Sequence, residues 1–354
     1  MNDYTCFDLV EWGQPLEERR REFPVPDAKG VVVRVTAAGI CHSDLHFKKG
    51  YLDLGEQGKL TFTDRGARLP ATMGHEIAGE VVSVGSDVSS VSIGQSVLVF
   101  PWIGCRKCAA CEDARESDCM SMRIIGVSQP GGYATHVYVE DEQFLVDITG
   151  LDPAEVAPHA CSGLTVYNAF KKMGPLRDQE WLAVLGAGGL GLNAIAIANA
   201  LGYGNIVAVD IDDDKLDAAR EMGAHAILNN SLSNAVEALH EITGNQLFGV
   251  LDTFGGASTA ELAIHTLSKS GTYLVVGQHG GDFKMPQPWL PQKAITVRGS
   301  HVGNSSHLRE VIDLVRTGKV RQMPIERRPL SDINEAMDDL QSGKVRGRIV
   351  LVPD

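Results

Sequence analysis

The sequence predicts an α/β protein of two domains, one a doubly wound parallel sheet and the other mostly β. Three observations carry that prediction. The chain has 354 residues, more than one hydrophobic core usually organises. From Gly30 to about Val146 it is rich in short β-branched runs broken by glycine, whereas from about Pro153 to Gln278 apolar strand-like runs alternate with alanine-rich helical stretches. Apolar residues make up 44% and charged residues 22%, a balance that excludes wholesale disorder.

In the first region VVVRVTAAG, EIAGEVVSVGSDV and GQSVLVFPW read as strands joined by tight turns. In the second, WLAVLG, NIVAVD, AIL near Ile227, GVLDTF and TYLVVG read as strands, with helices near Leu190 to Leu201 and Asp214 to Met222 between the first three. That order suits a nucleotide-binding domain. After Pro291, ITVRGS, a helix around Ser306 to Arg316 and a terminal strand RIVLV are expected to rejoin the first domain. The expected division is 1–152 for the mostly β domain, with a cysteine-rich lobe at about 102–121, then 153–290 for the nucleotide domain and 291–354 for the return.

A net charge of -13 disfavours nucleic acid and anionic membrane surfaces, since phosphates would be repelled. The runs Arg19-Arg20-Arg21 and Arg327-Arg328 are expected to be solvated faces. No apolar run reaches the roughly 20 residues of a spanning helix, and the acidic start MNDYTCFDLVEWGQ does not resemble a signal peptide. The expected address is the cytoplasm, where thiols stay reduced, so the seven cysteines favour metal ligation over disulfides.

Trp181 to Leu185 runs directly into Gly186-Ala187-Gly188-Gly189-Leu190-Gly191 and a helical stretch. Gly186 permits the tight turn, Gly188 and Gly189 let backbone approach a pyrophosphate, and Gly191 lets helix and strand pack closely. Asp210 ends the next apolar strand, where a carboxylate binds ribose hydroxyls and repels a 2'-phosphate, favouring NAD over NADP. Lys215 would add a ribose contact. The alternative is that Asp210 merely caps the following helix, a task Asp212, Asp213 or Asp214 could equally perform.

Cys105, Cys108, Cys111 and Cys119 present four soft ligands within a short polar loop, as a closed tetrahedral zinc site requires. An iron–sulfur cluster remains open on ligand count alone. Cys41 in GICHSDLH, His75 in GHE and Cys161 in HACSGLT have donor types that fit one further metal, although each alone could be a core residue.

Taken together, these ordered motifs resemble the zinc-dependent medium-chain alcohol dehydrogenases over essentially the whole chain. The resemblance implies a Rossmann NAD-binding domain beside a GroES-like catalytic domain, two zinc ions per chain, and reversible hydride transfer between a primary or secondary alcohol and NAD. It implies that Cys41, His75 and Cys161 bind the catalytic zinc with a fourth position open, and that Glu76 is an alternate ligand. Asp44 would orient His75, while Ser43 and His46 would relay the alcohol proton. Helix capping for Ser43 and Asp44, and an ordinary surface histidine for His46, are the plain alternatives. His42 and Arg348 map onto pyrophosphate contacts, Thr165 onto a nicotinamide contact and Trp102 onto the substrate-pocket wall. A homodimer or homotetramer is implied. A polyol dehydrogenase would resemble a pattern with glutamate as third ligand, against which Cys161 speaks. A carbonyl reductase running the reverse direction stays open, and a non-catalytic zinc- and nucleotide-binding protein would lack a ligand or relay residue.

One departure stands out. The stretch YLDLGEQGKLTFTDRGARLP between Cys41 and His75 is longer than the family commonly carries, and is expected over the substrate cleft or at a subunit contact. Cys6 is expected to be a buried or free thiol.

Overall fold

The computed structural model describes residues 3–231 and 234–353. The β-branched runs of the first region build a seven-stranded sheet around Val31–Gly39, which pairs antiparallel with Glu76–Val84, His136–Val139 and Arg348–Val352. Ser96–Val99 and Leu145–Asp147 extend it on one side, and Ile325–Pro329 on the other. A smaller sheet sets Asp3–Leu9 between Glu17–Glu22 and Ala71–Thr72. Both basic runs are answered by acids: Arg21 reaches Asp8 at 2.6 Å, Arg327 pairs with Asp152, and Arg328 lies 2.6 Å from Glu326 and 2.8 Å from Asp339.

The second region folds as six parallel strands in the spatial order Ala226–Asn229, Ile206–Asp210, Trp181–Leu185, Leu247–Asp252, Thr272–Val275, Thr296–Gly299. Trp181–Leu185 is flanked by strands on both edges and covered by helices such as Gly189–Ala200, which is why it is apolar throughout. Strand order reverses between Trp181–Leu185 and Leu247–Asp252, so a crevice opens there beyond their carboxyl ends.

The expected domain division is corrected at both borders. Thr296–Gly299 does not return to the first domain; it is the sixth strand of the parallel sheet. All four of its residues are exposed, so as an edge strand it carries no apolar pattern that would tie it to either core. Pro153–Val156 still belongs to the first core, through Ala154 and Val156. The crossover runs along Ser162–Met173, with Leu164 in the first core and Val166 and Phe170 in the second. Helix Ser305–Arg316 straddles both as well, Leu308 and Ile312 packing one way and Val311 the other. Arg348–Val352 does rejoin the first sheet. Among the described residues no helix is long and apolar enough to cross a membrane.

Candidate active site and metal centres

The GICHSDLH segment leaves the central strand and turns into helix His42–Lys49. Asp44 caps that helix, its Oδ2 accepting the Cys41 N–H at 2.9 Å. The same carboxylate receives the Tyr133 hydroxyl at 2.8 Å and lies 3.2 Å from His75 Nδ1, so capping and orienting are one arrangement. A carboxylate can only accept, so His75 carries its proton on Nδ1 and turns Nε2 towards Cys41 and Ser43. Ser43 donates to Cys41 Sγ at 3.2 Å and stands 3.3 Å from His75 Nε2. Tyr133 had no sequence signal. Gly74, at φ +93°, is what admits it, for a Cβ there would fall 2.7 Å from the Tyr133 ring.

One donor atom from each of Cys41, His75, Glu76 and Cys161 lies within 4.8 Å of the others. A hydrogen bond from the Cys161 thiol holds Cys41 well below the ordinary thiol value, against the opposing effect of burial, and Cys161 is raised correspondingly. Burial alone would lower His75, but Asp44 and Cys41 outweigh it and lift it well above the usual value. Burial pushes Glu76 up to about 8 despite the neighbouring Arg348 guanidinium. Glu76 Oε1 accepts from Arg348 Nη2 at 2.6 Å, while Oε2 is buried without a hydrogen-bond partner. The two sulfurs are 4.0 Å apart, close to the edge of about 3.8 Å that a tetrahedron with Zn–S of about 2.3 Å requires. Soft donors, an orphaned carboxylate oxygen and this spacing fit a zinc ion.

The second cluster is the lobe of Cys105, Cys108, Cys111 and Cys119, whose sulfurs also fall within 4.8 Å of one another. Cys105 and Cys111 are 4.0 Å apart and Cys108 and Cys119 are 3.9 Å apart, again tetrahedral edges. Gly104 is obligatory, since a Cβ there would meet Cys111 Sγ at 2.6 Å. Two short helices, Ala109–Glu112 and Glu116–Asp118, are all the secondary structure between these cysteines, and neither buries a residue. Apolar burial therefore cannot hold the loop.

At the crevice Gly186 adopts φ +92°, and a Cβ on Gly191 would sit 1.8 Å from Gly186 O, so the glycine is required by the close approach of helix and strand. A Cβ on Gly189 would meet Gly347 O at 2.6 Å, whereas Gly188 faces open space. Asp210 Oδ2 accepts the Ala187 N–H at 2.6 Å and its Oδ1 the N–H groups of Ile211 and Asp212 at 2.8 and 3.1 Å, while the helix cap is Asp212, accepting from Asp214 and Lys215 N–H groups at 3.0 and 3.2 Å. Lys215 Nζ lies 3.8 Å from that Asp212 carboxylate.

A single cavity of about 670 Å³ joins the crevice to the first cluster. Cys41, His42, Ser43, His46, His75, Cys161, Thr165, the glycine turn, Asp210, Lys215 and Arg348 all line it. Thr165 sits one helical turn beyond Cys161, its N–H donating to Cys161 O at 2.8 Å. Burial lowers His42 and His46 from the usual histidine value. Trp102 is anchored by its indole N–H on Ala160 O at 3.0 Å, with its ring 5.5 Å from that of His75. Arg348 bonds within its own sheet, its guanidinium reaching Glu76, while its Nε is buried and unpartnered. Further lining residues carried no motif, among them Phe62, Arg65, Thr253, Phe254, His279 and His301. Thr253 buttresses the glycine turn by donating to Leu185 O at 2.8 Å.

The long connection forms a hairpin, Tyr51–Asp53 with Lys59–Thr61, that reaches across to the nucleotide domain. Asp282 accepts the Glu56 N–H at 2.9 Å and Lys284 lies 2.7 Å from Glu56. The segment that follows supplies Phe62, Arg65 and Ala67 to the cavity wall. Cys6 is buried, and burial raises its thiol.

Residues 27–150 match the model of the alcohol dehydrogenase GroES-like domain and residues 189–317 that of the zinc-binding dehydrogenases. The chain is 38% identical to an NAD-dependent alcohol dehydrogenase of Sulfurisphaera tokodaii, over 98% of this chain and 99% of that protein. With an alcohol dehydrogenase of Geobacillus stearothermophilus it shares 34% identity over 96% of each chain. The crystal structure of the alcohol dehydrogenase of Aeropyrum pernix superposes with a TM-score of 0.90 at 27% identity, covering 99% of this chain and all of that one (100%).

Proposed function

The chain belongs to the zinc-dependent medium-chain alcohol dehydrogenases, oxidoreductases that use NAD, and on that premise we propose that Cys41, His75 and Cys161 hold its catalytic zinc and Cys105, Cys108, Cys111 and Cys119 a structural one. The observation that carries this is the opening of the first donor cluster onto the same cavity as the glycine turn and Asp210. When bound, zinc supplies a Lewis acid and NAD a hydride acceptor. Everything else falls to the chain. Asp44 fixes the tautomer and orientation of His75, with Tyr133 holding Asp44 in turn. Ser43 Oγ would take the alcohol proton as its own hydroxyl proton is handed on towards His46, which burial keeps neutral and able to accept it and release it to solvent. Glu76, with one free carboxylate oxygen, serves as the alternate ligand. Asp210 selects NAD through the ribose hydroxyls, with Lys215 beside it. His42 and Thr165 face the cofactor, and Trp102 closes the substrate side.

We assign the substrate as a small alcohol or carbonyl, and the compartment as the cytoplasm, where all seven cysteines stay free. Homo-oligomerisation fits the unpaired edge strand Thr296–Gly299, where Val297 is 39% exposed. Light scattering on Val297→Lys is expected to report a smaller assembly than wild type. The deciding measurement is zinc content per chain together with NAD-dependent oxidation of primary, secondary, cyclic and aromatic alcohols. Two zinc ions with turnover support the assignment; one zinc ion without turnover leaves only the cysteine lobe and refutes it.

A further inference from the structure

The cavity contains a cation that no acid answers. Arg65, Lys215 and Arg348 line it; Lys215 lies 3.8 Å from Asp212 and Arg348 bonds Glu76, but the Arg65 side chain makes no hydrogen bond or ion pair among the described residues. The acids lining the cavity are Asp44 and Asp210. Asp44 is committed to Cys41, His75 and Tyr133, and Asp210 to the glycine turn.

The backbone of Arg65 is held in a turn, and its side chain is exposed at the cavity wall. Its turn is closed by the Ala67 and Gly66 N–H groups donating to Phe62 O at 2.9 Å and Thr63 O at 3.0 Å. Its guanidinium carbon lies 5.8 Å from the centre of the Phe62 ring, and Phe62 packs edge-on against Phe47 at 5.1 Å, on the helix that carries Ser43 and His46. The rings of His301, Trp102 and His75 are in successive contact, at 6.0 and 5.5 Å between neighbours, so His301 is linked to the donor cluster through Trp102. His301, which lines the cavity with Arg65, is depressed by burial first and then by Arg65 and Lys172. The apolar side chains of Ala67, Met122, Ile124 and Val127 line the same cavity.

A cavity lined by a metal-binding cluster, by apolar side chains and by a guanidinium without an acidic partner matches a molecule that carries a hydroxyl or carbonyl and, separately, an anion. We propose that Arg65 binds a substrate carboxylate, so that the preferred substrates are hydroxy acids, or the matching oxo acids, in which a hydrophobic spacer separates the two groups. A carboxylate is the natural partner because the guanidinium fork meets it with two parallel N–H donors. This rests on the oxidoreductase assignment above and deepens it by naming the substrate class.

The test compares 4-(hydroxymethyl)benzoate with its uncharged methyl ester, on the zinc-loaded protein with NAD. Wild type is expected to favour the acid in kcat/KM by about tenfold or more, the range a charge-assisted hydrogen bond supports. In Arg65→Gln the acid-to-ester ratio should fall by about that factor, mainly through KM, with Arg65→Lys in between. A ratio unchanged in Arg65→Gln overturns the proposal. If wild type oxidises neither compound, the oxidoreductase assignment fails for this class, and equilibrium binding of the same pair decides Arg65 separately. A Kd for the acid weakened about tenfold in Arg65→Gln supports the anion site, and an equal Kd overturns it.

Discussion

Replacing Asp44 by asparagine removes one charge and changes almost no volume, which isolates the contribution of the buried carboxylate. Asp44 is 2% exposed and accepts three hydrogen bonds, from the Cys41 N–H, the Tyr133 hydroxyl and His75 Nδ1. An amide has one accepting oxygen and one donating nitrogen. If the oxygen keeps Cys41 and Tyr133, which both use Oδ2, the amide N–H₂ faces His75 Nδ1 and forces that proton to Nε2, the nitrogen aimed at the donor cluster. If the side chain flips, two donors meet at the Cys41 N–H, costing about 1–3 kcal/mol of stability. The first outcome is cheaper for the fold and worse for the metal. Loss of such an orienting partner lowers metal affinity by about 10–100-fold, or about 1.4–2.8 kcal/mol. Chelator competition followed by metal analysis reads this directly, because the four-cysteine lobe is an internal standard. Asp44→Asn should release one zinc ion at lower chelator concentration and keep the other. Two release steps identical to wild type would refute the argument that Asp44 governs the tautomer of His75.

The remaining expectations are as specific. Gly191→Ala should weaken NADH binding at least about tenfold and cost about 1–3 kcal/mol in denaturant melts, since its Cβ would fall 1.8 Å from Gly186 O; Gly188→Ala, which meets nothing within 4 Å, should keep wild-type stability and change only the fluorescence titration with NADH. Deleting Asp53 to Arg68 removes Phe62, Arg65 and Ala67 from the cavity wall and should change substrate preference while zinc content stays intact; unchanged kinetics on every alcohol tested would count against the hairpin's place at the cleft. Glu140 is gripped by Arg123 at 2.6 Å and Arg106 at 3.1 Å, and although burial raises its carboxyl, Arg123, Gln129 and Arg106 outweigh that and hold it below the ordinary value. A depressed carboxyl stabilises above its ordinary value and ceases to as pH falls through the folded one. Glu140→Gln should therefore melt about 2 °C below wild type at pH 7, and the two curves should converge in strong acid.

Where the sequence was legible, the physics was local. Gly186 and Gly188 sit in the turn between a strand and a helix and Gly191 in that helix's first turn, so their spacing carries the geometry, and the four cysteines of the lobe span only fifteen positions. Asp212 illustrates a second kind of legibility, in which two local readings competed: it took the helix cap and left Asp210 free to bind the glycine turn. What stayed illegible depended on chain segments meeting from afar. Tyr133 joins Asp44 across 89 positions and Arg348 joins Glu76 across 272, and neither separation leaves a trace in the residues on either side. Thr296–Gly299 failed for the opposite reason. Its four residues are exposed at a sheet edge, so no hydrophobic period distinguished the sixth parallel strand from a return to the first domain.

Arg348 shows why the terminal strand must come back. It begins Arg348–Val352, directly after Gly347, whose carbonyl lies where a side chain on Gly189 would have to go. The residue is thereby pinned between the glycine turn of one domain and the donor cluster of the other, at 4% exposure. Its Nη2 is spent on Glu76, and its Nε is buried without an acceptor. A buried guanidinium donor left unpaired is costly in a stable fold, and Arg348 is one of the residues that line the cavity. The Glu76 contact uses Nη2 and leaves Nε unspent. A single charge holds the carboxylate beside the donor cluster from a residue that also lines the crevice, which makes the meeting of the two a property of the chain's return rather than of either domain alone.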